Sequence, residues 1–599
     1  MKPSFIHNVL ATSALLGSHV LAATITDPSQ LKVLTYDYVI VGAGNAGLVV
    51  ANRLTENSNV TVLVLEAGVS DEGVVSVMAP FLGTTVTPNT PFDWNYTVAP
   101  QVGLDNRSFP YPRGRLLGGC SSANYLLHQY APNDDWNRLA NVTGDPNWAW
   151  DNMSKYVQRH EDFVAPSDGH DPTGQFIPAL HSTTGEVPVS LPVFNQSIDA
   201  RVIATTKQLA EFPFNEDTSM IQQALGTGWV QSTMSKGVRR SSSNTYLADA
   251  NTRPNLTVVI NAMVVKLLST ASPSGIPAFQ SVVFTDGRST SGTPTFTVQA
   301  TKEVILSAGS IGTPQILQLS GIGNSADLTP LNIPVLVNSP MVGRNLIDHT
   351  LLPNMFSVKG NDSYDDTLRD PVQLQNAINQ WATNKTGFIS NNLINHYGFA
   401  RVNSSLITIP DPSSGPNSPH FEMLFVNFWL DPAVSVPSTG NFLTIVTVLL
   451  TPTSRGTVTI RSTNPFDAPL IDPHMLTTDF DVTAMRESVK AIKRFAAAPA
   501  WSDYVIGPFG NLSATADADI DAYVRQHSTT IFHPTGTASM TSKNSTNGVV
   551  NPDFTVKGTS GLRIVDLSVL PFIPASHPQG PVYLLAERAA DIIKGVVAQ

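Results

Sequence analysis

The chain has 599 residues, 42% of them hydrophobic and 14% charged, and a formal net charge of -11. That length exceeds one ordinary domain, and the composition is that of a folded globular protein rather than a disordered one. No basic block is present that could neutralise a phosphate backbone, so nucleic-acid binding is excluded and the acidity reads as a soluble surface.

In chain order, the first signal is export. Lys2 precedes an apolar stretch from Val9 to Leu21, and Val20-Leu21-Ala22 is a small-residue pattern that signal peptidase accepts. Residues 1–22 are therefore expected to be a signal peptide and the mature protein to be secreted. The apolar stretch is shorter than the roughly 20 residues that a membrane span needs, and no later segment is long and apolar enough to be one. Asn-x-Ser/Thr tripeptides recur, as at Asn59, Asn106, Asn141, Asn255, Asn361 and Asn403, which suits an extracellular glycoprotein. The single cysteine, Cys120, cannot form an internal disulfide, so a large core must supply the stability. With 44 Pro and 40 Gly the chain is rich in loops, and surface excursions are expected from Ala165 to Pro188 and from Pro410 to Pro419.

A dinucleotide site follows. Tyr36 to Val41 reads as a buried strand of β-branched and aromatic residues. Gly42, Ala43, Gly44, Asn45, Ala46 and Gly47 come next, then a helical pattern through Leu54. A second strand, Val60 to Leu65, ends in Glu66. The glycines permit a tight turn and close approach of the backbone to a pyrophosphate on the helix N-terminus. Glu66 stands about 20 residues further on, where a carboxylate accepts hydrogen bonds from a ribose diol. A second negative group would repel a phosphorylated ribose. These residues alone leave NAD and FAD both open.

Two later segments separate them. Tyr111-Pro112-Arg113-Gly114-Arg115-Leu116-Leu117-Gly118-Gly119-Cys120-Ser121-Ser122 resembles the first signature of the glucose–methanol–choline oxidoreductases, with Cys120 and Ala123 as departures. The run from Gly309 to Gly323 resembles the second signature without a departure, and Val342 to His349 matches the segment that follows it. The resemblance extends from about Tyr36 to Lys594. It implies an α/β fold (α+β overall): a Rossmann-like FAD-binding domain with an inserted substrate domain built on a mainly antiparallel sheet with helices. Residues 35–345 would be mainly FAD-binding, with substrate-domain insertions. Residues 346–550 would be mainly substrate-binding, and 551–599 would return to the FAD domain. By the same resemblance Arg115, Gly118, Gly119, Asn124, Val264, Asp566, Gln579 and Pro581 join the first glycine loop and Glu66 in holding FAD. The bond is expected to be non-covalent, because Ala123 stands where some relatives attach a histidine. Cys120 is expected to be a buried, inert thiol. No metal site is expected.

Alcohol oxidation removes a hydride and a proton; FAD takes the first and the protein must take the second. Among 13 histidines, two stand in matching His-Pro segments, Ile531-Phe532-His533-Pro534 and Ala575-Ser576-His577-Pro578. The family resemblance makes His533 the base and His577 its partner on the substrate oxygen. Within the family the chain is most similar to fungal aryl-alcohol oxidases, through Phe92 to Tyr96, Thr143 to Trp150 and Ile531 to His533. Tyr125 and Phe532 would then flank the flavin. The loop from Asn427 to Pro432 carries Leu430 where those enzymes place an aromatic gate, so that either Phe428 or Trp429 replaces the gate or the access tunnel is wider. The expected activity is oxidation of primary aromatic or allylic alcohols, with O2 or a quinone as acceptor, by a monomer. The rivals are a pyranose dehydrogenase, a hydroxynitrile lyase of the same fold, and a binding protein that has lost catalysis.

Overall fold

The computed structural model describes residues 24–270, 275–289, 294–431 and 433–596. The expected signal peptide lies outside these residues.

The first sheet grows from the β-branched strand Thr35–Val41, whose Val39, Ile40 and Val41 are buried. Burial on both faces is the mark of a central parallel strand. It lies between Val62–Leu65 and Thr295–Leu306 and runs parallel to both, with Val41 opposite Leu65 and Leu306. Leu256–Val259 and Leu562–Ile564 add parallel neighbours. Ala278–Asp286 and Ala262–Thr270 extend the sheet in antiparallel fashion. The helices Asn45–Thr55 and Gly309–Leu319 begin just past the carboxyl ends of Thr35–Val41 and Thr295–Leu306. Ligands of open α/β sheets collect at that edge. The last helix, Gln579–Lys594, lies along Asn45–Thr55. Arg53 and the fully buried Glu587 pair across that contact at 2.8 Å.

The second sheet is antiparallel throughout. Its order is Val505–Pro508, Met355–Val358, Asn441–Leu449, Phe421–Val426, Ile394–Ala400 and Gly226–Trp229, with Thr350–Leu352 and Thr529–Thr530 attached beside Asn441–Leu449. Alternation along Phe421–Val426 divides its two faces. Phe421, Met423 and Phe425 join the core under the amphipathic helix Asp479–Ala496. Leu424 and Val426 join the opposite cluster. Gly226–Trp229 precedes several strands of the first sheet, so the two units interleave along the chain. Leu256–Val259 belongs to the parallel sheet, and Thr457–Thr459 pairs with Leu470–Asp472 in a separate two-stranded ribbon.

Asn59, Asn106, Asn141, Asn361 and Asn403 are exposed. Asn255 is a correction. It is buried, and its amide donates to the carbonyls of Thr55, Asn57 and Val60 at 3.1, 3.1 and 2.8 Å, so it is spent on the fold and closed to a glycan.

Candidate active site

One cavity runs from the carboxyl edge of the first sheet to the inner face of the second. It holds about 2190 Å³ of atom-free space, its open mouth included.

The end on the first sheet is built largely from backbone. Gly42 has φ +102°, and a Cβ there would stand 2.4 Å from the Ser307 carbonyl oxygen. Gly44 precedes the helix Asn45–Thr55 without a side-chain cap, and Asn45 and Ala46 line the cavity. The first amides of that helix are therefore free for an anion. Gly119 closes on the same turn, since its Cβ would come 2.8 Å from the Gly44 Cα. Glu66 accepts from the amides of Ala43 and Gly68 at 2.9 and 2.8 Å, and burial raises its pKa. Val264 lines the wall beside Met263. Asp566 accepts from the Gly309 amide at 2.9 Å and the Thr313 hydroxyl at 2.6 Å, fixing the start of the second helix. Nearby, the Ser307 and Ser310 hydroxyls are buried without a partner among the described residues, and both residues line the cavity. Glycines that admit no Cβ, open helix amides, a carboxylate and unpaired hydroxyls together fit a flavin dinucleotide.

The other end is built from side chains. His533 and His577 line it with their rings perpendicular and 5.0 Å apart. Burial first, then the neighbouring His577, His349 and Arg113, hold the His533 pKa well below its ordinary value, so the ring is neutral. Its backbone is pinned by Asp348, which accepts from the His533 amide at 2.9 Å and from the hydroxyls of Tyr111 and Thr530 at 2.6 Å each. Phe532 has φ +68°, a left-handed conformation that a bulky residue adopts only when its surroundings impose it. His577 is anchored at both ends. Its amide donates to Gln129 at 3.1 Å, and its Nε2 lies 3.0 and 3.1 Å from the carboxylate of the fully buried Glu422. Between the two ends stands Asn124, which donates to Gln579 and accepts from the buried Arg239 guanidinium at 2.8 Å. Burial lowers the Arg239 pKa to about 9.

Of the remaining expected residues, Tyr125, Leu430 and Gln579 line the cavity. Others do not. Gly47 serves packing, because a Cβ there would stand 2.1 Å from the Gly42 carbonyl oxygen. Gly118 makes the turn at φ +82°, and Pro581 is buried in the first turn of the last helix. Arg115 binds the Gly287 carbonyl and lies over the Trp94 ring at 5.1 Å. Phe428 turns away onto Phe81, and Trp429 packs against Phe442 and Phe509. Neither replaces the aromatic gate, because the backbone that exposes Leu430 buries its two neighbours. Cys120 also needs correction: it is only half buried, lines the cavity, and accepts from the Arg113 guanidinium at 2.6 Å.

Glu422, Gln129 and Arg239 were not singled out from the sequence. For Glu422 a signal existed: it is the one charge in the otherwise apolar strand Phe421–Val426, at an inward position. Gln129 and Arg239 carry no comparable mark.

Comparison with known proteins agrees with this arrangement. The N-terminal domain of the GMC oxidoreductases matches residues 36–351 and the C-terminal domain matches residues 452–586. Pyranose dehydrogenase 3 of Leucoagaricus meleagris is 36% identical, over 98% of this chain and 97% of its own. The structure of a formate oxidase variant from Aspergillus oryzae superposes with a TM-score of 0.85 at 30% identity, covering 94% of this chain and 98% of that one. A fungal aryl-alcohol oxidase structure gives a TM-score of 0.79 at 25% identity, covering 94% of this chain and all of that one (100%). With both domains matched and the dinucleotide cradle in place, the chain belongs to the GMC oxidoreductases and uses FAD.

Proposed function

We propose that the protein oxidises apolar primary alcohols, aromatic or allylic, to aldehydes, with oxygen taking up the electrons as hydrogen peroxide. The observation that carries this reading is the wall facing the two histidines. Leu351, Ile394, Leu424, Val426, Leu430 and Val446 make it aliphatic, and Tyr125 and Phe532 add flat surfaces. Asn392 is the polar side chain set among them. Its amide is already spent on the Tyr125 carbonyl and the Ser232 hydroxyl at 2.9 and 2.8 Å, and its oxygen on the Leu393 amide at 2.6 Å. A sugar would bury hydroxyls against this wall at roughly 1–3 kcal/mol for each one left unpaired. An aromatic or allylic tail loses nothing there.

When bound, FAD supplies the hydride acceptor. His533, neutral and half buried, takes the hydroxyl proton. His577, held by Glu422 through Nε2, presents its other edge to the alcohol oxygen and orients it. The apolar wall excludes water and seats the tail. Ala123 lines the cavity with no nucleophile to bond a flavin, so the cofactor is held without a covalent link; acid precipitation then leaves the yellow colour in the supernatant, not in the pellet.

The relatives named pyranose dehydrogenase support a second reading, sugar oxidation on the same histidine pair. Anaerobic stopped-flow mixing with benzyl alcohol and with glucose separates the two. Rapid bleaching of the flavin by benzyl alcohol, with glucose far slower, is the expected result. The reverse order supports the sugar reading, and no bleaching by either defeats both. His533→Ala should bleach on the order of 10²- to 10⁴-fold more slowly, the usual contribution of a general base.

A further inference from the structure

The segment Val342 to His349, which follows the second signature, buries a second titratable side chain beside Asp348. Its last residue, His349, is fully buried behind His533. Their proximity is a product of backbone pairing. Thr350–Leu352 pairs with Thr529–Thr530, and Ile347 exchanges both backbone hydrogen bonds with Thr535 at 3.0 and 2.9 Å. The ladder places the two histidines side by side, with Nδ1 of one 3.0 Å from Nδ1 of the other.

The hydrogens of this contact can be deduced. His349 Nε2 lies 3.1 Å from the Leu450 carbonyl oxygen. A carbonyl only accepts, so Nε2 carries a hydrogen. Burial, then the neighbouring His577, holds the His349 pKa down at about 3, so the ring is neutral and its Nδ1 is a bare acceptor. The hydrogen in the shared contact must then sit on His533 Nδ1. His533 is itself neutral, which leaves its Nε2 as the nitrogen with the lone pair. Nε2 has no hydrogen-bond partner among the described residues, and His533 lines the cavity.

We propose that His349 is a positioning residue that selects the tautomer of His533, through the chain Leu450 carbonyl, His349 and His533 Nδ1–H, so that the basic Nε2 faces the alcohol. Either nitrogen of a free imidazole can hold the proton, and the partner of one nitrogen decides the state of the other. The chain also serves the product state. When His533 takes a proton from the alcohol oxygen, the new N–H forms at Nε2, and the Nδ1–H already present donates a stronger, charge-assisted bond to His349. His349 needs neither to gain nor to lose a proton.

This inference rests on His533 being the base, and the test separates the two claims. In holoenzyme labelled with ¹⁵N-histidine, the His533 signals, assigned by their loss in His533→Ala, should show a protonated Nδ1 and a bare Nε2. A proton on Nε2 would overturn the proposal, and this measurement needs neither a substrate nor a second variant that folds. His349→Leu removes the acceptor, whereas His349→Asn restores an oxygen near the former Nδ1. Flavin reduction by benzyl alcohol or glucose, whichever bleaches the wild type, should slow on the order of 10- to 100-fold in the Leu variant, as for partners that fix a ring's orientation. Alcohol affinity and the flavin spectrum should hold, and the Asn variant should recover most of the rate. Equal slowing in both variants would mean that His349 only fills space, and a wild-type rate with Leu would remove it from the chemistry. If His533→Ala reduced its flavin at wild-type speed, the base assignment would fall while the tautomer measurement still stood.

Discussion

The two ends of the cavity are made differently. The dinucleotide end is made by contiguous sequence: a strand, a glycine turn and a helix start, with Glu66 one strand away. Its contacts are amides and the absence of side chains. The alcohol end draws Asp348, Glu422, His533 and His577 from separate parts of the chain, and each is held by another side chain. A backbone-built site fails when atoms are added. A side-chain-built site fails by degrees, when partners are removed.

The sharpest break is therefore Gly42→Ala. Its Cβ would stand 2.4 Å from a backbone oxygen, and its φ of +102° is one that alanine avoids. The neighbouring atoms belong to the Ser307 carbonyl at a strand end, so little can yield. We expect this variant to be purified colourless or not to fold, with no residual activity. A yellow, active Gly42→Ala protein would show that the turn is more plastic than this comparison allows.

The same contrast explains what could be read before the fold was known. Gly42, Gly44 and Glu66 were legible because the elements that carry them follow one another at a fixed spacing, and the turn demands glycine, whereas Val264 came only from the family resemblance. His533 and His577 were legible through their flanking residues. Glu422 was not, because strand periodicity says that an inward carboxylate needs a partner but does not name His577, 155 positions away. Phe428 and Trp429 misled because three large apolar residues in a row give no phase: only the register of Phe421–Val426 decides which of them meets the cavity. Cys120 misled for a related reason, since Arg113 lies seven positions earlier in an irregular loop whose path no periodicity describes.

A smaller effect tests that phase. Leu430→Phe places an aromatic ring at the cavity wall, while Phe428→Leu alters a residue packed against Phe81 at 5.6 Å and out of reach of substrate. Leu430→Phe should change the ratio of kcat/KM between benzyl alcohol and a linear allylic alcohol on the order of tenfold, as single groups in apolar pockets do. Phe428→Leu should leave that ratio unchanged and lower stability by roughly 1–3 kcal/mol. If the Phe428 variant shifted the ratio and the Leu430 variant did not, the loop would be turned the other way in solution.

The most gradual effect comes from a third place where side chains alone hold a segment. The excursion between Glu161–Phe163 and Val187–Val189 is tied down by His181, whose Nδ1 lies 3.0 Å from Glu161 and whose Nε2 lies 2.8 Å from Asp217. Burial by itself disfavours charge on His181, but the hydrogen bonds it donates to Asp217 and Glu161 outweigh it and raise the pKa to about 9. Asp217 moves the opposite way, to about 2, because His181 outweighs its own burial. The folded protein thus keeps a proton on His181 that the unfolded chain releases near the ordinary value of about 6.5. A folded state that holds more protons loses stability as pH rises. The contribution of His181 is therefore fully present below pH 6.5 and lost as pH rises through about 9. His181→Gln should unfold at a lower temperature throughout, since it leaves two buried carboxylates without their cation. Its deficit against the wild type should shrink steadily between pH 6.5 and 9, because only the wild type has that proton to lose. A deficit that stayed constant across this range, in thermal unfolding of the holoenzyme at fixed ionic strength, would mean that the clasp is held by shape and not by charge.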